Sequence, residues 1–516
     1  MLVEELRVQE DEYIEGLRVR AHVRWVEEGE RSTQYFARLI SAKRTRKSMT
    51  GVLLENGETM ATETSAMVAR ARQFYTHLYR AGEMDTEAAE TLLDGVDARV
   101  EMEAQAQVGW VITEEEVLGT ISKGKSNSAP GGDGLPWEFY KTFAQLVAPM
   151  LAKLLTLVIH GEGMMPDSSR IAHISILYKN KGREEDLKNW RPISLLNCDR
   201  KILTRILSGR VQGAASSIIH ASQTGFIKGR LIQHNTMMIA QILDHYRRVG
   251  GKGALIFLDQ EKAYDKVNWE YLMKTLAHFG FQEGACQAIK ATLEKLSASV
   301  IVNGFISEEF PIEQGLPQGD PMSPILYDIA LEPVLCCIRQ RVAGLGVPPS
   351  LFKLSAFADD VVVGVQDHGD EEVLVEALGL HEKACNAKLN YGKSETLRLG
   401  STTEEDIHGI GGIISPEGTF KHLGITFHAR ALPLPASFYN DILENLRNTV
   451  KSWQQRHLSL AGRVLVVNSR LLSRLWYIGY HISFSQDFFR SLRKIVSAYL
   501  CRAGGRRLGG MYYVFW

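Results

Sequence analysis

Two apolar runs in this chain carry acids where a buried strand would ordinarily carry none. The first, GALIFLD (253–259), is bounded by glycine and ends on Asp259. Its length suits a buried strand better than a helix. The second, LSAFADDVVVGV (354–365), reads as strand, tight turn, strand, with Asp359 and Asp360 side by side at the turn. Adjacent carboxylates in an apolar setting repel strongly unless a cation neutralises them or a proton is shared. Beside VVVGV that requirement points to a metal, and Mg2+ favours carboxylate, water and phosphate oxygens. Taken alone, such a pair is more often a solvated turn. Asp259 alone says still less.

The rest of the chain frames those runs. Its 516 residues are too many for one compact core and suggest two to four structural units. Apolar residues make up 45% and charged residues 23%, an ordinary balance that argues against disorder. The net charge of −1 hides a polarised distribution. Between Asp441 and Trp516 stand twelve Lys/Arg against three acids, a local field that attracts a phosphate backbone. The segment from Glu83 to Glu116 is acidic instead. The six cysteines show no C-x-x-C pair and no Cys/His metal spacing, as expected of free thiols in a reducing compartment. No signal pattern opens the chain, and no apolar run approaches the ~18 residues of a membrane span. The expectation is an intracellular protein without membrane partners, nuclear or cytoplasmic.

Local patterns place further elements. Residues 1–50 read as a basic helical segment, followed by a hairpin at GVLLENGETM with Asn56-Gly57 as its turn. Residues 61–110 look helical. Thr113 and Glu116 form a capping-box pattern before a helix that stops near SNSAPGGDGLP. From 140 to 250 the pattern is mostly helical, interrupted by the strand-like IAHISILYK. SVIVNGFISEEF is a hairpin turning at Asn303-Gly304. Residues 436–454 place Phe438, Ile442, Leu446, Val450 and Trp453 at helical spacing, and LSLAGRVLVVNSRLLSRLWYIGY reads as a second helix.

Nine motifs then fall in one order: APGGDGLPWEFYK, ISILYKNKG, NWRPISLLNCDRKILTRILSGRV, QTGFIKGRLIQHN, FLDQEKAYDKVNW, GLPQGDPMSPILYDIALEPVL, FADD, KLNYGKSET and FKHLGITF. From roughly residue 20 to 510 the chain closely resembles the reverse transcriptases of non-LTR (LINE-type) retrotransposons. That resemblance implies an α/β right-hand polymerase with fingers, palm and thumb, preceded by a mainly helical N-terminal extension. The implied division is 1–110 for the extension, 111–428 for fingers and palm, and 429–516 for a helical thumb. The activity implied is RNA-directed DNA synthesis: a primer 3′-OH extended with dNTPs on an RNA template by two-metal phosphoryl transfer. The cofactor is then two Mg2+ ions, with Mn2+ as a substitute, and the partners are RNA template, DNA primer and dNTPs.

The resemblance also implies roles for individual residues. Asp259, Asp359 and Asp360 match the metal ligands, with the backbone carbonyl of Gln260 as a further contact. Tyr264 falls at the aromatic steric gate against the ribose 2′-OH, or is otherwise a core aromatic. Asp265 would cap or orient that segment without a catalytic role. Gln318 matches the residue lying against the incoming nucleotide, where Gly319 permits close backbone approach. Lys179 and Arg191 match cations that hold the triphosphate; a surface ion pair is the alternative for each. Lys393 matches the lysine proposed to protonate pyrophosphate, or is a solvated lysine. FKHLGITF resembles the primer grip. The basic segments 18–47 and 441–507 are the candidates for template contact. An RNA-dependent RNA polymerase, sharing the palm, would carry an acid where Tyr264 stands. A nucleic-acid-binding remnant without catalysis is the alternative from another class. Family members usually carry an endonuclease domain ahead of this region, so a truncated, fragmentary or domesticated copy is expected and target-site cleavage is not assigned.

Overall fold

A computed structural model describes residues 49–101, 111–456 and 458–501. The basic segment 18–47, the end of the 61–110 helical stretch, and Arg502, Arg506 and Arg507 lie outside the described residues. One compact unit spans Ser48–Gly418; the described part of a second runs from 419 to 501. Both mix helix and sheet. Among the described residues no helix is long and apolar enough to cross a membrane. All six cysteines are free.

The larger unit is built on two sheets. Its longer strands, with one short edge strand, are β1 (Ile171–Tyr178), β2 (Trp190–Leu195), β3 (Lys252–Leu258), β4 (Ser297–Val302), β5 (Leu354–Phe357), β6 (Asp360–Val365), β7 (Glu395–Gly400) and β8 (Gly412–Ile413). The helices that matter most for the site are α1 (Thr64–Tyr79), α2 (Cys198–Ile218), α3 (Ile232–Val249), α4 (Ser323–Arg341) and α5 (His368–Cys385).

The central sheet has the order β5-β6-β3-β7-β8, antiparallel except between β7 and β8. The register pairs Val361 with Leu258, Val363 with Ile256 and Val365 with Ala254. These six residues join one core with the apolar faces of α4 and α5. The alternate residues Leu255, Val362 and Leu397 are equally buried, and α3 packs against β5 and β7. A sheet covered on both faces needs apolar residues at successive positions, which is why GALIFL and VVVGV are continuous rather than alternating. The second sheet runs β2-β1-β4, with β1 and β4 parallel. Met67, Ala71 and Tyr75 of α1 bury against Ala172, Ile174 and Val300 of this sheet.

The expected local signals are present. Asn303 and Gly304 both take positive φ, as a two-residue primed turn requires. At the earlier hairpin, Gly57 has φ of 71° and Asn56 Oδ1 accepts from the Glu58 and Thr59 amides. The Thr113–Glu116 capping box forms both of its bonds.

In the second unit a hairpin, β9 (Thr419–His422) with β10 (Ile425–His428), precedes α6 (Ala436–Gln454), α7 (Leu460–Val466), a π-helical stretch (Val467–Leu472), α8 (Ser473–Gly479) and α9 (Gln486–Leu500). Leu446, Val450 and Trp453 of the expected stripe enter this unit's core, while Phe438 and Ile442 stay half-buried at its edge. The second helix expected from sequence is therefore interrupted by wider turns. Arg463 is committed internally, donating to the Leu458 and Leu500 carbonyls at 3.1 Å each.

Ile256 is fully buried at the centre of β3. Ile256→Ala is expected to cost about 2–5 kcal/mol through lost transfer energy and a residual cavity. A lowered midpoint of urea unfolding, read by tryptophan fluorescence, checks this.

Candidate active site

The β3–β6 register decides where the acids go. With Val361 opposite Leu258, the next residues outward are Asp360 and Asp259, so they lie across from each other at one end of the sheet. Asp359 sits in the two-residue turn joining β5 to β6. The Asp259 amide donates to Ser394 Oγ at 3.1 Å, and its carbonyl accepts from the Asn390 amide at 2.8 Å. The loop bearing Lys393 is thereby tied to the end of β3. Lys393 Nζ stands 4.0 Å from Asp259 Oδ2.

Charge interactions couple the three carboxyls. Burial, and then the Asp259 charge, raise the Asp359 carboxyl, with Arg191 opposing. Asp360 keeps a solvent-facing side. Even so, loss of hydration and then the charges of Asp359 and Asp259 push it up to about 6. A divalent cation suits this oxygen donor set, because it would relieve the repulsion that otherwise favours bound protons.

The turn itself is strained and clamped. Ala358 has φ of 52°, a conformation that costs a non-glycine residue about 1–2 kcal/mol. Buried Gln223 holds it from both sides: its Oε1 accepts from the Ala358 amide at 2.9 Å and its Nε2 donates to the Ala358 carbonyl at 3.3 Å. The same Oε1 accepts from the Gly225 amide. A Cβ on Gly225 would stand 2.4 Å from the Ala358 nitrogen, so glycine is required for that approach. Thr224 N donates to Ala356 O and Ala356 N donates to Ser222 O, extending the clamp along β5.

The expected cations and ring lie around the same acids. Burial lowers the Lys179 amine, followed by repulsion from Lys393 and Arg191, while Asp265 and Asp259 oppose this. Three cations from separate segments thus face one region. Half-buried Tyr264 stacks on Tyr327 with ring centroids 4.5 Å apart. Burial raises its phenol, and the Asp328 and Asp359 charges add to this. The Tyr327 hydroxyl donates to Gln260 Oε1 at 2.8 Å, and Gln260 pairs with Leu389 in a short antiparallel bridge. The Gln318 carbonyl accepts from the Ser194 amide at 2.8 Å, and its side-chain amide reaches the Asp265 carboxylate at 3.4–3.5 Å. Gly319 has φ of 121°, and a Cβ there would meet Ser194 O at 2.8 Å. Its close approach is therefore to β2. A buried ion pair, Arg200 of α2 with Asp320, anchors the same loop.

Sequence reading missed three residues. Gln223 lies in a quoted motif, yet its clamp depends on a contact 135 positions away. Tyr79, at the end of α1, donates to Asp265 Oδ1 at 2.9 Å. Asp265 is fully buried, and burial pushes it up to about 6 against Lys262, that hydrogen bond, Lys179 and Gln318. Lys262 takes φ of 53° and lies over the Phe74 ring; burial lowers its amine to about 8. The run of polar residues EKAYDK was the only available signal for it.

Residues 178–427 match the family model described as reverse transcriptase (RNA-dependent DNA polymerase). The uncharacterized 149 kDa protein of transposon TX1 from Xenopus laevis is 32% identical over 95% of this chain and 38% of its own length. The Pol polyprotein of element R2DM from Drosophila melanogaster is 25% identical over 70% of the chain and 34% of its own length. The RNA-directed DNA polymerase of mobile element jockey from the same fly is 26% identical over 71% and 41%. The chain spans well under half the length of these curated relatives.

Gln223→Ala orphans the Ala358 and Gly225 amides in the interior, at about 1–3 kcal/mol each. A total loss of about 2–4 kcal/mol is expected, and Ala358→Gly in that background should recover about 1 kcal/mol. Chemical denaturation of the single and double variants checks both; a neutral Gln223→Ala would dismiss the clamp.

Proposed function

We infer that this chain, whose residues 178–427 form a reverse transcriptase domain of the non-LTR type, is an RNA-directed DNA polymerase that extends a primer 3′-OH with dNTPs on an RNA template. The observation that carries the reading is the convergence of Asp259, Asp359 and Asp360 at one end of the β3–β6 pair, with the Tyr264 ring close to Asp359. In this reading the central sheet serves as palm, the β1–β2–β4 sheet belongs to the fingers, residues 429–516 form the thumb, and residues 1–110 form an extension. The hairpin β9–β10 would act as primer grip.

The three aspartates, with the Gln260 carbonyl, would hold two Mg2+ ions, or Mn2+ in their place. Such a pair supplies charge neutralisation at the attacking hydroxyl and the leaving pyrophosphate. The chain's own residues do the positioning. Lys179 and Arg191 would grip the triphosphate, and their mutual repulsion with Lys393 is what an arriving polyanion relieves. Lys393, whose Nζ lies 4.0 Å from Asp259 Oδ2, would give a proton to pyrophosphate. The Tyr264 ring, braced by Tyr327, cannot swing away from a ribose 2′-OH without losing its stacking partner. Gln318, Gly319 and buried Asp265 would form the floor under the incoming nucleotide. Phosphoryl transfer relies on such positioning and charge stabilisation.

Primer extension on an RNA template with Mg2+ tests this directly. Asp359→Ala is expected to lower the rate by about a thousandfold or more, since a metal ligand contributes several kcal/mol. If wild type binds template-primer yet extends it no faster than Asp359→Ala, a binding remnant is the correct reading. Tyr264→Val should raise ribonucleotide incorporation by about tenfold or more, as loss of a steric pocket wall does; unchanged sugar discrimination would remove Tyr264 from the gate.

Arg493 and Lys494 are exposed on α9, in the segment proposed to meet the template. Replacing both with Ala should lessen the slope of log affinity against log salt by about 2, as two lost phosphate contacts require. A filter-binding salt titration measures it, and an unchanged slope assigns these side chains elsewhere.

A further inference from the structure

At the opposite end of β6 from Asp360, about 20 Å along the strand, the described residues contain a second cluster of metal-ligating groups. His368 and Glu371 lie on the first turn of α5, and His408 comes from the loop after β7. One ligand atom from each falls within 4.8 Å of the other two. No Cys/His spacing joins positions 368 and 408, so no local pattern marks the cluster. We propose that His368 Nδ1, His408 Nδ1 and Glu371 Oε2 bind a zinc-class divalent cation at a site separate from the aspartate cluster.

The geometry is close to what such an ion needs. Nitrogen and oxygen ligands 2.0–2.2 Å from a tetrahedral ion stand about 3.4 Å from each other. His368 Nδ1 lies 3.3 Å from His408 Nδ1 and 3.3 Å from Glu371 Oε2; His408 Nδ1 lies 4.0 Å from the same oxygen. Two imidazoles that present the same ring nitrogen to each other need either one shared proton or a cation between them. The donor set of two imidazoles and one carboxylate selects zinc-like ions over Mg2+. A fourth position faces solvent and would hold water.

The ligands are also held in advance. His368 Nε2 lies 3.4 Å from Glu372 Oε1. A carboxylate on the far ring nitrogen keeps the proton there and leaves the Nδ1 lone pair for a metal, the usual arrangement around ligating histidines. Glu371 is buried, and its oxygens accept from the His408 amide at 3.0 Å and the Gly409 amide at 2.6 Å. The His408 carbonyl accepts from Arg398, and the flanking Ile407 and Ile410 are buried in the main core. The loop is thus already docked, and the ion would staple it to the start of α5.

Cobalt titration of the full, tag-free chain tests the proposal. It is run with saturating Mg2+ so that hard oxygen sites are occupied. The expected result is one equivalent of Co2+ giving the intense visible absorption of a four-coordinate site, displaced by one equivalent of Zn2+. His408→Ala and His368→Ala, both at solvent-facing positions, should each weaken Zn2+ competition by about tenfold or more, and Glu372→Gln should weaken it less. Asp359→Ala should leave the absorption intact. Zn2+ should raise the thermal midpoint of the wild type and not of either histidine variant, while primer binding stays unchanged in all. Weak six-coordinate absorption, no saturable band, or a band that survives both histidine substitutions would overturn the site.

Discussion

The antiparallel register between β3 and β6 is the constraint on which the rest depends. It pairs Val361 with Leu258, and the valines of β6 are buried on both faces of the sheet. A slip of one residue would send every side chain of the strand to the other face. The same register brings Asp259 alongside Asp360, a juxtaposition that apolar packing must sustain against charge repulsion. The protein spends backbone contacts to keep it: Ser394 and Asn390 fasten Asp259, and Gln223 fastens the turn at Ala358.

Other buried acids show what distinguishes that cluster. Asp320 is matched by Arg200 and by the Met322 amide. Asp370 accepts from the Ala343, Gly344 and Gln366 amides, closing two loops around one carboxylate. In these places a carboxylate organises backbone and its charge is answered by N–H groups or a guanidinium. At the β3–β6 end the carboxylates instead act on one another's charge, and the cations that act on the same region come from separate segments. That contrast sets the cluster apart from Asp320 and Asp370.

Much of this was legible because it depends on short-range patterning. The two runs ending in acids, the Asn-Gly turns, the capping box and α6 each follow from a few adjacent residues. β2 escaped notice because Pro192 interrupts its pattern; the structure puts it at a sheet edge, where a missing N–H is tolerated. Gln223, Tyr79 and Lys262 escaped for another reason. Their partners lie far away in sequence, and no local periodicity marks a side chain that serves a remote backbone. Arg463 shows the converse: counted among basic residues available for nucleic acid, it is occupied within its own unit.

The stretch Val467–Leu472 alters the winding of its helix, and the spacing of the apolar residues explains its place. Val467, Leu471 and Leu475 are all buried, and they recur every four positions. At ordinary pitch, four residues overshoot a full turn by about 40°, so three such residues would spiral off the seam. Wider turns absorb the excess and keep the row straight along the core. The length of this segment is therefore fixed as firmly as its composition. Losing one residue there would turn Leu475 toward water without changing the character of any side chain.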